Sequence, residues 1–207
     1  MPRPRDEAKR RELLGRVREY VARHGLAELS LRPLARELGT SDRMLLYYFG
    51  TKERLIAEAL SAEEQRPQFQ IRRMLAEEGP PEDVAGLRRF LEELWQRLNA
   101  PALREMRPLF LEVQVLSLRH SDRYGTVMRD VLGEWEELLV PILLGVGLPA
   151  ERARTEALLL VDATFGLLIG SLASQEWARA DAAFQAFLDS LEPGWAAVSQ
   201  GSDVAEV

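Results

Sequence analysis

Apolar residues recur along this chain at intervals of three and four, the period of a helix with one buried face, and no clear run of strand-like alternation stands against it. Leu13, Leu14, Val17, Tyr20 and Val21 mark a first helix from about Asp6 to His24, stopped by Gly25. Leu31, Leu34, Ala35 and Leu38 fall at i, i+3, i+4 and i+7 and define a short second helix. Ser30 stands at its N-cap, Pro33 is tolerated in its first turn, and Gly39 ends it. Ser41 caps a third helix carrying Leu45 and Phe49 one turn apart, and Gly50 closes it. Thr51 caps a fourth, with Leu55, Ile56, Ala59 and Leu60 in its stripe; Pro67 is expected to break it near Gln65, and a second segment reaches Glu78. After Gly79, Pro80 and Pro81 comes a helix over about Glu82–Leu98 with Leu87, Phe90, Leu91, Leu94, Trp95 and Leu98 inward. Helical material over Leu103–Arg119 is expected to be interrupted at Pro108. A helix from Asp122 to about Leu144 is bent by Pro141, and two last helices cover about Ala150–Gln175 and Asp181–Leu191. From Pro193 onward the period fades and a loose tail is expected. The pattern predicts an all-α protein of about nine helices.

Two short helices joined through a glycine turn form the unit that sets its second helix in the major groove of DNA, although the same spacing also serves as a plain turn in a helical protein. Thr40, Asp42, Arg43, Tyr47, Tyr48 and Lys52 are expected on its outer side. There Arg43 suits a guanine edge, Asp42 the cytosine amino group and Lys52 a phosphate. The net charge of −6 argues against a nucleic-acid partner until it is divided. Met1 to Leu55 holds 13 Lys and Arg against 8 Asp and Glu, and the remainder 14 against 25, so the cationic end coincides with the helix pair. A basic arm, Met1 to Arg5, precedes it and can reach phosphate or the minor groove if it is more than a frayed terminus.

Ser30, Leu34, Ala35, Leu38, Gly39, Ser41, Leu45, Tyr47, Phe49 and Lys52 stand without a gap in a pattern that resembles the helix-turn-helix signature of the tetracycline-repressor (TetR) family of bacterial transcription factors. The resemblance covers the first quarter of the chain. It implies a phosphate-contacting cap at Ser30, a base-contacting Arg32, recognition-helix contacts from Tyr47 and Tyr48, and a phosphate anchor at Lys52, alongside Thr40, Ser41, Asp42 and Arg43. Three positions depart from the family pattern. Met44 replaces a small or hydroxyl residue, Leu46 a tyrosine and Tyr48 a histidine.

The rest of the chain narrows the function by exclusion. With no cysteine, disulfides, thiol nucleophiles and cysteine-ligated metals are out, and a reducing cytoplasm is compatible. His24 and His120 are far apart with no Glu-x-x-His motif, so no metal site, cofactor or catalytic constellation is assigned. Gly145, Gly147 and Ala150 mimic a dinucleotide loop, but the βαβ context that gives such a loop its meaning is missing. No secretory signal is present, and Ala157 to Ala173, 17 residues with Asp162 inside, reads as a buried helix rather than a membrane span.

A pocket for a small-molecule effector is expected among Trp95, Phe110, Gln114, Tyr124, Trp135, Asp162 and Phe165, on the helices where the resemblance implies a cavity. Asp162 is its sharpest candidate, because a buried carboxylate needs a partner. Gly166, Gly170 and Ser174 form a strip of small residues. With Ala163, Phe184 and Phe187 it is assigned to a homodimer, because two half-sites are normally read by a two-fold pair and the resemblance implies a four-helix interface from the last two helices. The sequence reading is therefore a helix-turn-helix domain over residues 1–50 and an effector-binding, dimerising domain over 51–207, with the helix at 51–64 as the link. It describes a cytoplasmic, non-enzymatic repressor of a double-stranded DNA operator. The competing class is a helical small-molecule-binding protein or enzyme with a vestigial helix-turn-helix, which the three departures keep open.

Overall fold

The computed structural model describes residues 6–26, 29–60 and 67–202, and among the described residues it holds ten α-helices and no strand. In chain order they are α1 (Glu7–His24), α2 (Leu31–Glu37), α3 (Asp42–Phe49), α4 (Lys52–Leu60) and α5 (Pro67–Glu78). They continue with α6 (Val84–Leu98), α7 (Pro101–Arg119), α8 (Ser121–Gly145), α9 (Ala150–Ser174) and α10 (Trp177–Ser202). The arm Met1 to Arg5 and the expected break near Gln65 lie outside the described residues. Residues gather into two compact units, one of 1–63 with 105–130 and one of 64–104 with 131–207.

The first unit is built on the stripes legible in the sequence. Leu13, Val17 and Val21 of α1 meet Leu34, Leu45, Phe49, Leu55 and Ile56, and all are essentially buried. Each contributes about 1.5–3 kcal/mol of hydrophobic stabilisation. Leu109 and Val113 of α7 belong to the same core, which draws 105–130 into this unit. Helix ends are closed as their residues dictate. The Asp6 carboxylate accepts from the Ala8 and Lys9 amides at 3.1 and 3.0 Å, and Thr51 Oγ1 from the Arg54 amide at 3.1 Å. Gly25 ends α1 at φ 73° and ψ −177°, a conformation essentially reserved for glycine. Just beyond it the Glu112 carboxylate of α7 accepts the Leu26 amide. His24 stacks on Tyr20 with ring centroids 4.3 Å apart, a packing role.

In the second unit α5 packs on α6, α6 on α10, and α10 on α9. The whole inward row of α6, from Leu87 to Leu98, is buried as its period predicts. Across the α6–α10 contact Arg88 reaches Glu192 and Asp189 at 2.6 and 2.7 Å, and these hydrogen bonds raise the pKa of its guanidinium above the ordinary value.

Pro108 behaves differently from the sequence expectation and does not interrupt α7, whereas α8 carries Pro141 near its end and stops at Gly145, one residue past its expected end. An internal proline costs about 3 kcal/mol. Leu109 and Val113 flank the first, and Leu138, Leu139, Ile142 and Leu143 the second, and burial of these side chains outweighs that cost. Pro193 likewise lies inside α10, which continues to Ser202 where a loose tail was expected. The reason is Trp195, fully buried, whose indole N–H donates to the buried carboxylate of Glu156. Arg152 completes the cluster, donating to Glu156 at 2.6 Å and to the Gly194 carbonyl at 3.1 Å. Glu176 marks the gap between the last two helices, and α10 begins at Trp177, four residues before its expected start.

Candidate nucleic-acid interface

Helices α2 and α3 are held at a fixed angle by their own chemistry. Ser30 occupies the N-cap of α2 with extended backbone, but its hydroxyl makes no capping bond. Gly39 turns the chain at φ 64°, Ser41 Oγ accepts the Met44 amide at 3.2 Å to start α3, and Gly50 stops it at φ 80°. Leu45 and Phe49 fix the inner face of α3 against α2 and α4.

What remains outside is a strip in which Arg43 and Tyr47, one turn apart, form the middle line. Arg43 is exposed, and no ion pair of Arg43 or Arg36 occurs among the described residues. Arg32 is exposed too and lies 4.0 Å from the Asp42 carboxylate, which also accepts the Arg43 amide at 2.9 Å. Thr40 is half-buried and Ser41 exposed at the head of the helix. Lys52 donates to the Leu29 carbonyl at 3.1 Å, which ties the start of α4 to the entry of α2 and leaves two ammonium protons for a phosphate. Two other cations of this unit are engaged. Arg10 pairs with Glu58, and Arg23 with Glu37 at 2.8 Å.

One expected outer residue is inside. Tyr48 is only 8% exposed, its ring edge-on to Tyr47 at 5.2 Å and part of the core. Its position explains this: with Leu45 and Phe49 it completes an i, i+3, i+4 set on the buried face. Conversely, Met44 and Leu46, which the sequence reading treated only as departures from a pattern, are 40% and 41% exposed, close to the 44% of Tyr47. The same helical phase that buries Tyr48 signals them.

The expected effector residues do not all converge. Trp95, Trp135 and Phe165 line a cavity of about 20 Å³ in the second unit, room for one water molecule, together with Leu94, Leu139, Leu160, Thr164 and Phe184. Phe110 and Gln114 belong to the first unit, because α7 turns Leu109 and Val113 into that core, and the side chain of Tyr124 lies outside the described residues. Asp162 is exposed rather than buried and does not line the cavity. The Trp95 indole N–H is held by Asp181 at 2.7 Å, and Asn99 Nδ2 donates to the same oxygen at 3.2 Å.

The small-residue strip is open. A side chain added at Gly166 or Gly170 would meet nothing within 4 Å. Leu158 and Leu159, 61% and 43% exposed, fall on the same half of the helix surface, as do Asp162 and Ser174. The helix expected to be buried therefore covers only one face within this chain. By length and composition alone it is apolar enough to cross a membrane. Ala163 on α9 and Phe187 on α10 are half-buried. Phe184 is not part of it: its ring is 2% exposed and stacks on Trp95 with centroids 4.5 Å apart, which makes it core.

Comparison with known proteins agrees with the placement of this surface. Residues 17–59, from mid-α1 through α4, match the family of bacterial regulatory proteins called the tetR family. No curated protein matches the chain. Among solved structures, one described as a transcriptional regulator from Pseudomonas aeruginosa PAO1 superposes with a TM-score of 0.71 at 22% identity, over 91% of this chain and 92% of the other. One described as a transcriptional regulator from Rhodococcus sp. Rha1 gives 0.65 at 22% identity, over 93% and 96%. A third, described as a TetR-family transcriptional regulator from Rhodococcus sp., gives 0.65 at 14% identity over 94% and 100%. At these identities the likeness is one of fold.

Proposed function

We propose that this chain, whose residues 17–59 match the tetR family of bacterial regulatory proteins, is a homodimeric repressor that reads a double-stranded operator with α3 and leaves it when a small molecule enters the second unit. The observation that carries the reading is the division of α3 into a buried side, Leu45, Tyr48 and Phe49, and an exposed side on which Arg43 and Tyr47 align. Arg43 pairs with a guanine edge and Tyr47 packs along the groove. Arg32 reaches a further base edge, while Ser30, Thr40, Ser41 and Lys52 hold the flanking phosphates and fix the register.

Dimerisation is supported by the open strip on α9, since a second copy would cover Leu158, Leu159, Gly166 and Gly170 while bringing two recognition helices to successive turns of one duplex. The effector site is supported by the apolar, aromatic-walled cavity of the second unit. Its small volume means that a ligand enters by displacing side chains, and this displacement is the event that changes the separation of the two α3 helices. Because one half-site cannot replace two, a small change in separation costs much affinity. No catalytic role or cofactor is part of the proposal.

Mobility-shift titration on duplex fragments of the source genome tests it. The double variant Arg43→Ala, Tyr47→Ala is expected to weaken specific binding by roughly 100-fold, the order of two base contacts of 1–3 kcal/mol each. Both side chains are exposed, so the circular dichroism spectrum stays unchanged. Unaltered binding by that variant would remove α3 as the reading surface.

A further inference from the structure

Helix α3 exposes two large apolar side chains on a face otherwise furnished with cations, and its own core takes neither of them. Met44 stands in the first turn and Leu46 in the second, on opposite sides of the Arg43–Tyr47 line. Beside them Arg43 is exposed on the same helix, and the exposed Arg32 of α2 lies 4.0 Å from Asp42, the one carboxylate on α3. Apolar side chains flanking a line that carries a free guanidinium are complementary to one surface in particular. The major groove has anionic walls, and among the base edges on its floor the one apolar group is the C5-methyl of thymine. The first-turn residues of a recognition helix are those that reach base edges.

We infer that Met44 is a specificity-determining residue that packs on the methyl group of one thymine in each operator half-site, an inference that rests on the DNA-binding reading above. Methionine suits the task because its unbranched thioether adapts its shape to a contact that cannot be fixed by hydrogen bonds. Leu46, farther from the N-terminus of α3 and on the other side of the strip, does not reach the same base.

The test uses the full chain and duplexes that it selects from a random-sequence pool. Each thymine of the selected half-site is replaced singly by deoxyuridine, which deletes only the methyl, and affinity is read by fluorescence anisotropy at one fixed salt concentration. One position per half-site is expected to lose about fourfold, the worth of one buried methyl-sized group. That loss should vanish in Met44→Ala and persist in Leu46→Ala. Methyl-insensitive binding by the wild type overturns the inference, as does an equal uracil penalty in Met44→Ala, or a penalty abolished by Leu46→Ala alone. If the pool yields no duplex held above non-specific binding, the DNA-binding reading falls and takes the inference with it. That failure is distinguishable because binding is then absent rather than blind to the methyl.

Discussion

Tyr47 and Tyr48 are neighbours of the same chemistry whose roles diverge because successive helical residues differ by 100°. One ring faces outward and the other is packed beside Phe49, with centroids 6.2 Å apart. Tyr48→Ala is accordingly expected to cost about 3–5 kcal/mol of stability, the range for emptying a large aromatic from a core. Urea denaturation reads this directly, and a loss below about 1 kcal/mol would mean that the ring is not needed for packing. The difference between the two tyrosines was available from the sequence, since Leu45 and Phe49 fix the phase of α3. Chemical type alone, a tyrosine beside a tyrosine in a DNA-reading helix, pointed the wrong way. Asp162 teaches the same lesson. Its apolar neighbours suggested burial, but they are themselves uncovered on that side of α9.

At the scale of elements, the helices were legible wherever one chain supplies both partners of a packed face. Every inward residue expected on α6 is buried, and the caps at Ser41 and Thr51 and the stops at Gly25, Gly39 and Gly50 fall where their chemistry requires. Prolines misled because their local cost is readable in sequence while the long-range burial that offsets it is not. Phe110 and Gln114 fall in the first unit for a related reason: periodicity says which side of α7 is apolar, not which core receives it. The α9 strip is the most consequential case. A carboxylate placed there by Leu158→Glu is expected to shift the protein from two copies to one in light scattering at micromolar concentration, with helical content retained, because the side chain is already 61% exposed in the single chain. A mass unchanged by that substitution would assign the two-fold contact elsewhere.

The molecule as a whole divides its labour by charge as well as by packing. The cationic excess lies within the first 55 residues and the acidic excess in the remainder, so a protein of net charge −6 carries its positive balance in the segment that includes α3. The all-α architecture was plain from the period of the apolar residues, and the match at residues 17–59 falls on the stretch whose spacing was most specific. The end of the chain was the least legible part, since Pro193 seemed to announce a dispensable tail. Trp195 instead works as a stopper, seated over a carboxylate that has left water. A chain cut after Glu192 is therefore expected to lose about 3–5 kcal/mol, the order of removing a buried tryptophan, visible as a lower urea midpoint. For anyone trimming or tagging this protein, a protease that clips one turn earlier than Trp195 would uncork the second unit rather than tidy it.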